Sequence, residues 1–480
     1  MLTMRTMRGA AWLVLSRFVG RLIDFVTLIV LARILTPADF GLTALAASLI
    51  AIVDMVLEVP ILQALLRRQV FDKSHLDTGF TINLLRSLLV ALVIVAAAWP
   101  FARAYADMRL VPVLAVLAIG PIARGLASPA MVTFARDLKF HQTFIVELTG
   151  KICAFGLAVA LVLNGAGYWA IVANSVMAAV MGAVASYILA PYRPALSLSR
   201  FSDFSRFTGW FSSAQIVSAV NWQLDRILLG RYVDKGTFGQ YVLASDLAVF
   251  PTQSVIGPAM QSVMAAFSAI NADPGRMRQA FLKAVRLVML VSVPVCLGIS
   301  ITSDLIVAIL LGPNWHRAAD LLGMISLAVL PVPYYQTLHS FCLALDRPAM
   351  LLRISMIELL LRLGLVSAGL WLFALEGVVW ARLLLAAAMA VVYMLHVRHL
   401  AQIGLRQQIG NVWKVAAATA LMVAAAGTLR HLLAPMALPA TVELAATAAT
   451  GIAVYVAGLA LLGVRLARGA GRFALHDRWL

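Results

Sequence analysis

The chain has 480 residues, 62% of them hydrophobic and only 12% charged, with a formal net charge of +17. Soluble domains are about 45–50% apolar and about 25% charged, so this mixture cannot build a water-facing surface. Lipid is therefore the solvent for most of the chain. The basic residues are dispersed along it rather than gathered in one patch, which removes nucleic acid as the reason for the charge.

Fourteen windows of about 20 apolar residues are each long enough to cross a membrane as a helix. They lie near 12–32, 40–66, 79–101, 110–132, 143–163, 168–190, 207–230, 238–268, 281–302, 318–344, 351–373, 376–395, 412–433 and 440–464. No alternating strand pattern appears, which argues against a β-barrel. The start, "MLTMRTMRGAAWLVL", has a basic opening but no small-x-small cleavage site, so it reads as an uncleaved first span.

Charges inside spans cost about 2.5–3.5 kcal/mol each on insertion scales, so they face a cavity or a partner. Span 1 carries Arg17, Arg21 and Asp24, which share one helical face with Gly20. Span 2 carries Asp54 and Glu58 at i, i+4, where like charges repel. Span 3 carries Arg86, and span 4 carries Arg124 three residues after Pro121. Span 5 holds Glu147 and Lys151, acid four residues before base, the favourable order for a helix salt bridge.

Between spans 6 and 7, "RPALSLSRFSDFSRFTGWF" repeats Phe201, Phe204 and Phe207 every third residue. That fits an amphipathic helix at the interface, either a plain linker or a hinge. Further on come Asp225 and Arg226, Asp246, Arg286, the pair Glu358 and Arg362, and Arg382. Tyr334, Tyr335 and Gln336 follow Pro331 and Pro333, where they either contact sugar rings or pack a kink. His396 and His399 have no third ligand nearby and read as interfacial residues. Cys153, Cys296 and Cys342 lie in apolar windows and read as small core residues. No metal site, cofactor motif or catalytic residue is expected. A Walker A loop, H-E-x-x-H and a nucleophile elbow are all missing from the sequence.

Alternate loops carry 22 and 7 basic residues. This asymmetry places both termini in the cytoplasm and supports an even number of spans.

The sequence also repeats itself. "LARILTPADFGLTALA" (31–46) aligns with "LGRYVDKGTFGQYVLA" (229–244) at an offset of 198 residues. Glu147, Lys151 and Trp169 recur as Glu358, Arg362 and Trp380 at an offset of 211. Spans 1–6 and 7–12 thus read as two copies of one six-span unit entering from the same side, a parallel repeat. The expected organisation is an N-lobe over 1–195, a linker and C-lobe over 196–400, and two extra spans with a basic cytoplasmic tail over 401–480. The fold class is all-α integral membrane with fourteen spans. Arg17, Arg21, Asp24, Asp54, Glu58 and Arg124 align with uncharged residues in the second copy, which marks them as candidates for function rather than folding.

The "LARILTPADFGLTALA" junction, the six-plus-six pattern and the "ARDLKF" junction resemble the polysaccharide-transporter branch of the multidrug/oligosaccharidyl-lipid/polysaccharide exporter superfamily. The resemblance covers roughly residues 8–400 and lies nearest to Wzx-type flippases. It implies a bacterial inner-membrane protein, not an enzyme, that moves an undecaprenyl-diphosphate-linked oligosaccharide to the outer leaflet by alternating access. It also implies partners in glycan polymerisation and export, besides membrane lipids. Arg17, Arg21, Arg86, Arg124, Arg226 and Arg286 are then candidates for a cationic substrate cavity. Fixed guanidiniums replace the hydration of a diphosphate. Asp24, Asp54 and Glu58 are candidates for coupling to H⁺ or Na⁺. Glu147, Lys151, Glu358 and Arg362 form structural salt bridges or line the cavity. The alternatives are a drug/cation antiporter on the same fold, disfavoured by nine basic residues within spans, and a flippase for the peptidoglycan lipid precursor. Short loops argue against an integral glycan enzyme.

Overall fold

The computed structural model describes residues 2–59, 61, 65, 72–137, 139–436, 438–469 and 472–477. Side chains are described for these residues except 2–11, 13–14, 202–216, 254–255, 258–259, 261 and those from 465 onward. Nine helical segments among the described residues are long and apolar enough to cross a membrane. The protein is a multi-pass membrane protein.

Local chemistry sets the helix boundaries. The first helix, α1 (Leu2–Ile34), gives way at Thr36, which caps α2 (Pro37–Val56). Thr36 Oγ1 accepts from the Asp39 amide (3.3 Å) while Asp39 Oδ2 accepts from the Thr36 amide (3.0 Å), a reciprocal capping box behind a proline. Helix α2 ends at Val56, well short of the expected end of its window at 66. Asp72 caps α3 (Lys73–Ala104) in the same reciprocal way with His75.

The fourth window breaks into α4 (Leu110–Leu117), α5 (Ile119–Gly125) and α6 (Met131–Arg136). Pro121 cannot bond the carbonyl four residues earlier, at Leu117, which is where α4 stops. Then follow α7 (Phe140–Leu163), α8 (Trp169–Leu189), α9 (Ser202–Tyr232), α10 (Lys235–Ala269) and α11 (Pro274–Ile301). A short helix α12 (Ser303–Leu310) follows the ninth window, and the tenth is divided between α13 (His316–Ala328) and α14 (Val332–Ala344). Windows 11 and 12 form α15 (Pro348–Ala401), bent where Phe373 and Ala374 leave helical geometry. The last two helices are α16 (Leu405–Leu433) and α17 (Ala440–Leu461).

The basic tail is not wholly without structure. Strands β1 (Val464–Gly469) and β2 (Arg472–Asp477) pair antiparallel, with Leu466 opposite Leu475. Among the described residues the apolar spans are all helical, as expected, and this short hairpin follows the last of them. Alternation over six residues is too short a signal to have been read as a strand.

Contacts divide the chain into two compact units, Met1–Val242 and Leu243–Leu480. In the first, α1 and α7 run parallel. Trp12 packs on Phe144 (5.7 Å between rings) at one end, and Leu31 and Leu35 meet Ala158 and Val162 at the other. Gly41 of α2 and Gly239 of α10 let two backbones touch. A Cβ on Gly41 would stand 2.1 Å from the Lys235 carbonyl oxygen, and one on Gly239 would stand 1.8 Å from that of Pro37. On α3, Leu85, Leu88, Leu89, Leu92, Val95 and Trp99 form an exposed apolar stripe at helical spacing. Only lipid makes such a stripe tolerable.

The segment after α8 was expected to be an interfacial helix. Its first part, residues 191–198, is extended instead and is strapped along the start of α3. The Ala195 amide donates to Asp77 Oδ1 (3.0 Å), the Ser197 amide to Thr81 Oγ1 (2.9 Å), and Tyr192 to Asp77 (2.8 Å). The helix begins at Ser202, so Phe204 and Phe207 lie on helical backbone, with side chains outside the described set.

The second unit is centred on Phe267, Phe281 and Phe341, with ring centroids 5.0–5.4 Å apart along Phe267–Phe341–Phe281. Helix α16 is tied to α11 through Asn411 and Leu282, and α17 through Tyr455 and Leu290.

Candidate functional site

Within the first unit, the break of α2 and the short helix α5 bring three predicted residues into one cluster. Arg86 of α3 donates through Nε to the Leu57 carbonyl (2.7 Å) and through Nη2 to the Asp54 carbonyl (2.7 Å). These are carbonyls that the end of α2 leaves without helical partners. The same Nη2 pairs with Asp54 Oδ1 at 2.5 Å. Arg124 of α5 pairs with the other oxygen, Asp54 Oδ2, at 3.1 Å. One carboxylate is thus shared by two guanidiniums, and the cluster keeps a net charge of +1. Glu58 is half-buried at the same broken helix end.

The two arginines are held differently. Arg86 is 19% exposed and fixed by backbone carbonyls. Arg124 is 53% exposed, and its only hydrogen bond among the described residues is to Asp54. Gly125 brings the Arg124 backbone close, because a Cβ there would stand 1.8 Å from Ser87 Oγ on α3.

Depth follows from α3. At one end of the lipid-facing stripe the Arg103 guanidinium lies 3.9 Å over the Trp99 ring, an aromatic-cationic anchor of the kind found at membrane interfaces. Arg86 precedes Trp99 by 13 residues, or about 20 Å along a helix. It therefore lies about two thirds of the way across a 30 Å core, toward the end where the extended linker is strapped.

A second polar seam joins α1 and α7. Ser16 donates to Glu147 Oε2 (3.1 Å). Lys151 donates to the Gly20 carbonyl (3.0 Å) and pairs with Asp24 Oδ2 at 2.5 Å. Ser16, Gly20 and Asp24 recur every fourth residue and form one stripe along α1. Glu147 and Lys151 were expected to pair with each other. They face α1 instead, because the partner helix supplies better-placed acceptors than the turn above. Arg17 and Arg21 are exposed beside this seam, and Arg21 makes no hydrogen bond or ion pair among the described residues. Arg226 is half-buried next to Asp225, which is 5% exposed and accepts from Tyr241 (3.4 Å).

At the opposite end of this unit, Asp107 joins two loops. It pairs with Arg109 (2.9 Å) and with Lys235 at the start of α10. Burial alone raises its pKa, but hydrogen bonds from Arg109 and Lys235 and the Lys235 charge outweigh that and bring it down to about 2. Asp107 was not among the sequence candidates. Its partner lies 128 positions away, and no local spacing signals the contact.

In the second unit, Glu358 and Arg362 form the expected i, i+4 ion pair at 2.6 Å. Arg286 donates twice to Asn411 Oδ1 (3.1 and 2.8 Å), so its described partner is helix α16. Arg382 donates to Ser245 (3.1 Å). Tyr335 stacks on Tyr393 at 5.1 Å, and Tyr334 donates to Gln408 (2.6 Å). This arrangement packs the two tyrosines around the kink. Among the described residues, no group of three or more His, Cys, Asp or Glu side chains could hold a metal ion.

The sequence matches the family described as polysaccharide biosynthesis protein over residues 30–320. It is similar to the succinoglycan biosynthesis transport protein ExoT of Rhizobium meliloti, 25% identical over 67% of this chain and 65% of that protein. It is also similar to the lipopolysaccharide biosynthesis protein WzxC of Escherichia coli, 22% identical over 67% of this chain and 66% of that one. A third relative is the teichuronic acid biosynthesis protein TuaB of Bacillus subtilis, 22% identical over 68% of each. The chain thus spans about two thirds of the length of the curated relatives it matches. Among solved structures, the fold resembles the lipid II flippase MurJ in an inward closed conformation. The TM-score is 0.73 at 12% identity over 95% of this chain and 98% of that one. It also resembles an inward-facing multidrug resistance transporter of the MATE family, with a TM-score of 0.59 at 14% identity over 80% and 96%.

Proposed function

This chain belongs to the polysaccharide biosynthesis protein family, and from that premise we propose that it flips a lipid-linked oligosaccharide across the bacterial inner membrane. The substrate is an undecaprenyl-diphosphate-linked glycan destined for exopolysaccharide or lipopolysaccharide. The route is alternating access between an N-lobe (1–195) and a C-lobe (196–400) in a fourteen-span chain with both termini in the cytoplasm.

The observation that carries this reading is the Arg86–Asp54–Arg124 cluster. It places two guanidiniums inside otherwise apolar helices with one carboxylate between them. A diphosphate leaving the headgroup layer loses hydration, and planar guanidiniums replace it with paired hydrogen bonds. The depth of Arg86, with the strapped linker on the cytoplasmic side, corresponds to the phosphates of a lipid loaded from the inner leaflet. Arg17 and Arg21, exposed beside the α1–α7 seam, add positive charge to the same unit. Asp24, Asp54 and Glu58 are its candidates for coupling to H⁺ or Na⁺. The reciprocal backbone contact at Gly41 and Gly239 supports the repeat, since the two positions are equivalent at the 198-residue offset.

The orientation is tested by a cysteine at Ala38, in a chain without Cys153, Cys296 and Cys342. It should react with an impermeant thiol reagent added outside intact cells. Labelling only after lysis would invert the assignment. The function is tested in a strain lacking the chromosomal copy. Arg124→Ala should abolish surface polysaccharide at a normal membrane level of protein, and Arg124→Lys should restore only part of it, because a point charge lacks the planar fork. Wild-type polysaccharide from Arg124→Ala would refute the role of this cluster.

A further inference from the structure

The two carboxylate oxygens of Asp54 occupy the space between Arg86 and Arg124 where a phosphate would bind. They take one guanidinium each, at 2.5 and 3.1 Å. Arg86 does not need this carboxylate to keep its place, because the Leu57 and Asp54 carbonyls hold it at 2.7 Å each. Arg124 does need it. Half-exposed at the end of a seven-residue helix, it has no other hydrogen-bonding partner among the described residues.

We propose that Asp54 is an internal stand-in for the substrate's phosphate, displaced when the diphosphate binds. The inference rests on the reading of Arg86 and Arg124 as the phosphate site. In the empty protein, the carboxylate neutralises part of the pair and keeps Arg124 folded inward. The incoming diphosphate then exchanges one anion for another, so no unpaired guanidinium is ever buried at full desolvation cost. Displacement is easiest for the ligand that binds the arginines most strongly. A diphosphate brings more charge and more acceptor oxygens and can reach both arginines at once. Asp54 thus lowers apparent affinity for every anion by occupying the site, so that only a highly charged ligand displaces it readily.

The test uses purified full-length protein and farnesyl diphosphate as probe, with farnesyl monophosphate and farnesol as comparators. Asp54→Asn keeps the backbone carbonyl that holds Arg86 but removes the competing charge. It should bind farnesyl diphosphate and farnesyl monophosphate each about tenfold more tightly than wild type, with farnesol binding unchanged. A second measurement uses the wild-type chain. Carbodiimide labelling of Asp54, read by mass spectrometry, should rise several-fold when farnesyl diphosphate is added, because the displaced carboxylate becomes accessible.

Weaker binding by Asp54→Asn, or labelling that stays level or falls, overturns the stand-in while leaving the phosphate site intact. A different result marks failure of the underlying reading. In that case wild type and Arg124→Ala bind farnesyl diphosphate equally, or neither prefers it to farnesol.

Discussion

Gly41 and Gly239, 198 residues apart in two stretches of similar sequence, each leave room for the backbone beside the other. The contact partners, Lys235 and Pro37, are also 198 residues apart. Gly41 approaches the Lys235 carbonyl while Gly239 approaches that of Pro37, so the contact is reciprocal. The two stretches also share their capping logic. Thr36 accepts from the Asp39 amide, and Asp234, its equivalent, accepts from the Thr237 amide (2.9 Å). A β-carbon at either glycine has no space within van der Waals distance. Gly41→Ala and Gly239→Ala should each destabilise the detergent-solubilised protein by about 1–3 kcal/mol, the usual cost of overpacking. Gly156→Ala meets nothing within 4 Å and should leave the melting temperature in place. Equal melting temperatures for all three variants would refute the close approach.

The loop ion pairs at Asp107 make a pH prediction. Its folded pKa is lowered to about 2, below the ordinary value for an aspartate. A depressed carboxylate contributes stability that is present above the unfolded pKa and is lost as pH falls through the folded one. The stability difference between wild type and Asp107→Asn should therefore be constant above about pH 4 and shrink toward pH 2. Thermal unfolding across that range measures it. A difference that does not change with pH would show that the carboxylate's charge is not what joins these loops.

The seam between α1 and α7 predicts compensation. Asp24→Asn alone leaves Lys151 with the Gly20 carbonyl as its described partner, and Lys151→Met alone strands Asp24. Each should lower the melting temperature, and the double variant should recover most of the loss. Interhelical polar contacts in membranes are worth about 0.6–2 kcal/mol. Additive losses in the double-mutant cycle would mean that the two residues do not act as a pair.

How much of this was legible in the sequence depends on the range of each interaction. Composition and apolar windows located the helices, because lipid imposes one rule on every span. The capping box at Thr36 and the pair Glu358–Arg362 are local, and both lie within four residues. The partners that matter most do not. Asp54 and Arg124 are 70 positions apart, and Asp24 and Lys151 are 127 apart. Spacing told which helical face each charge occupies, but not which helix would come to meet it. Lys151 shows the difference, since an ideal i, i+4 partner was available and a neighbouring helix prevailed. The break of α2 was also hidden. Its window stays apolar to about residue 66, while the helix ends at Val56 with Arg86 on its last carbonyls. The extended strap over residues 191–198 was missed because its stabilising groups, Asp77 and Thr81, belong to α3.

The most direct test of the central claim is transbilayer movement of the lipid itself. Purified protein is reconstituted into vesicles holding a fluorescent undecaprenyl-diphosphate-linked oligosaccharide, and the fraction reaching the opposite leaflet is followed with an impermeant quencher. Movement well above that of empty vesicles is expected with the wild type, and movement at the empty-vesicle rate with Arg124→Ala. Movement by Arg124→Ala at the wild-type rate, in vesicles holding equal amounts of folded protein, would contradict the claim.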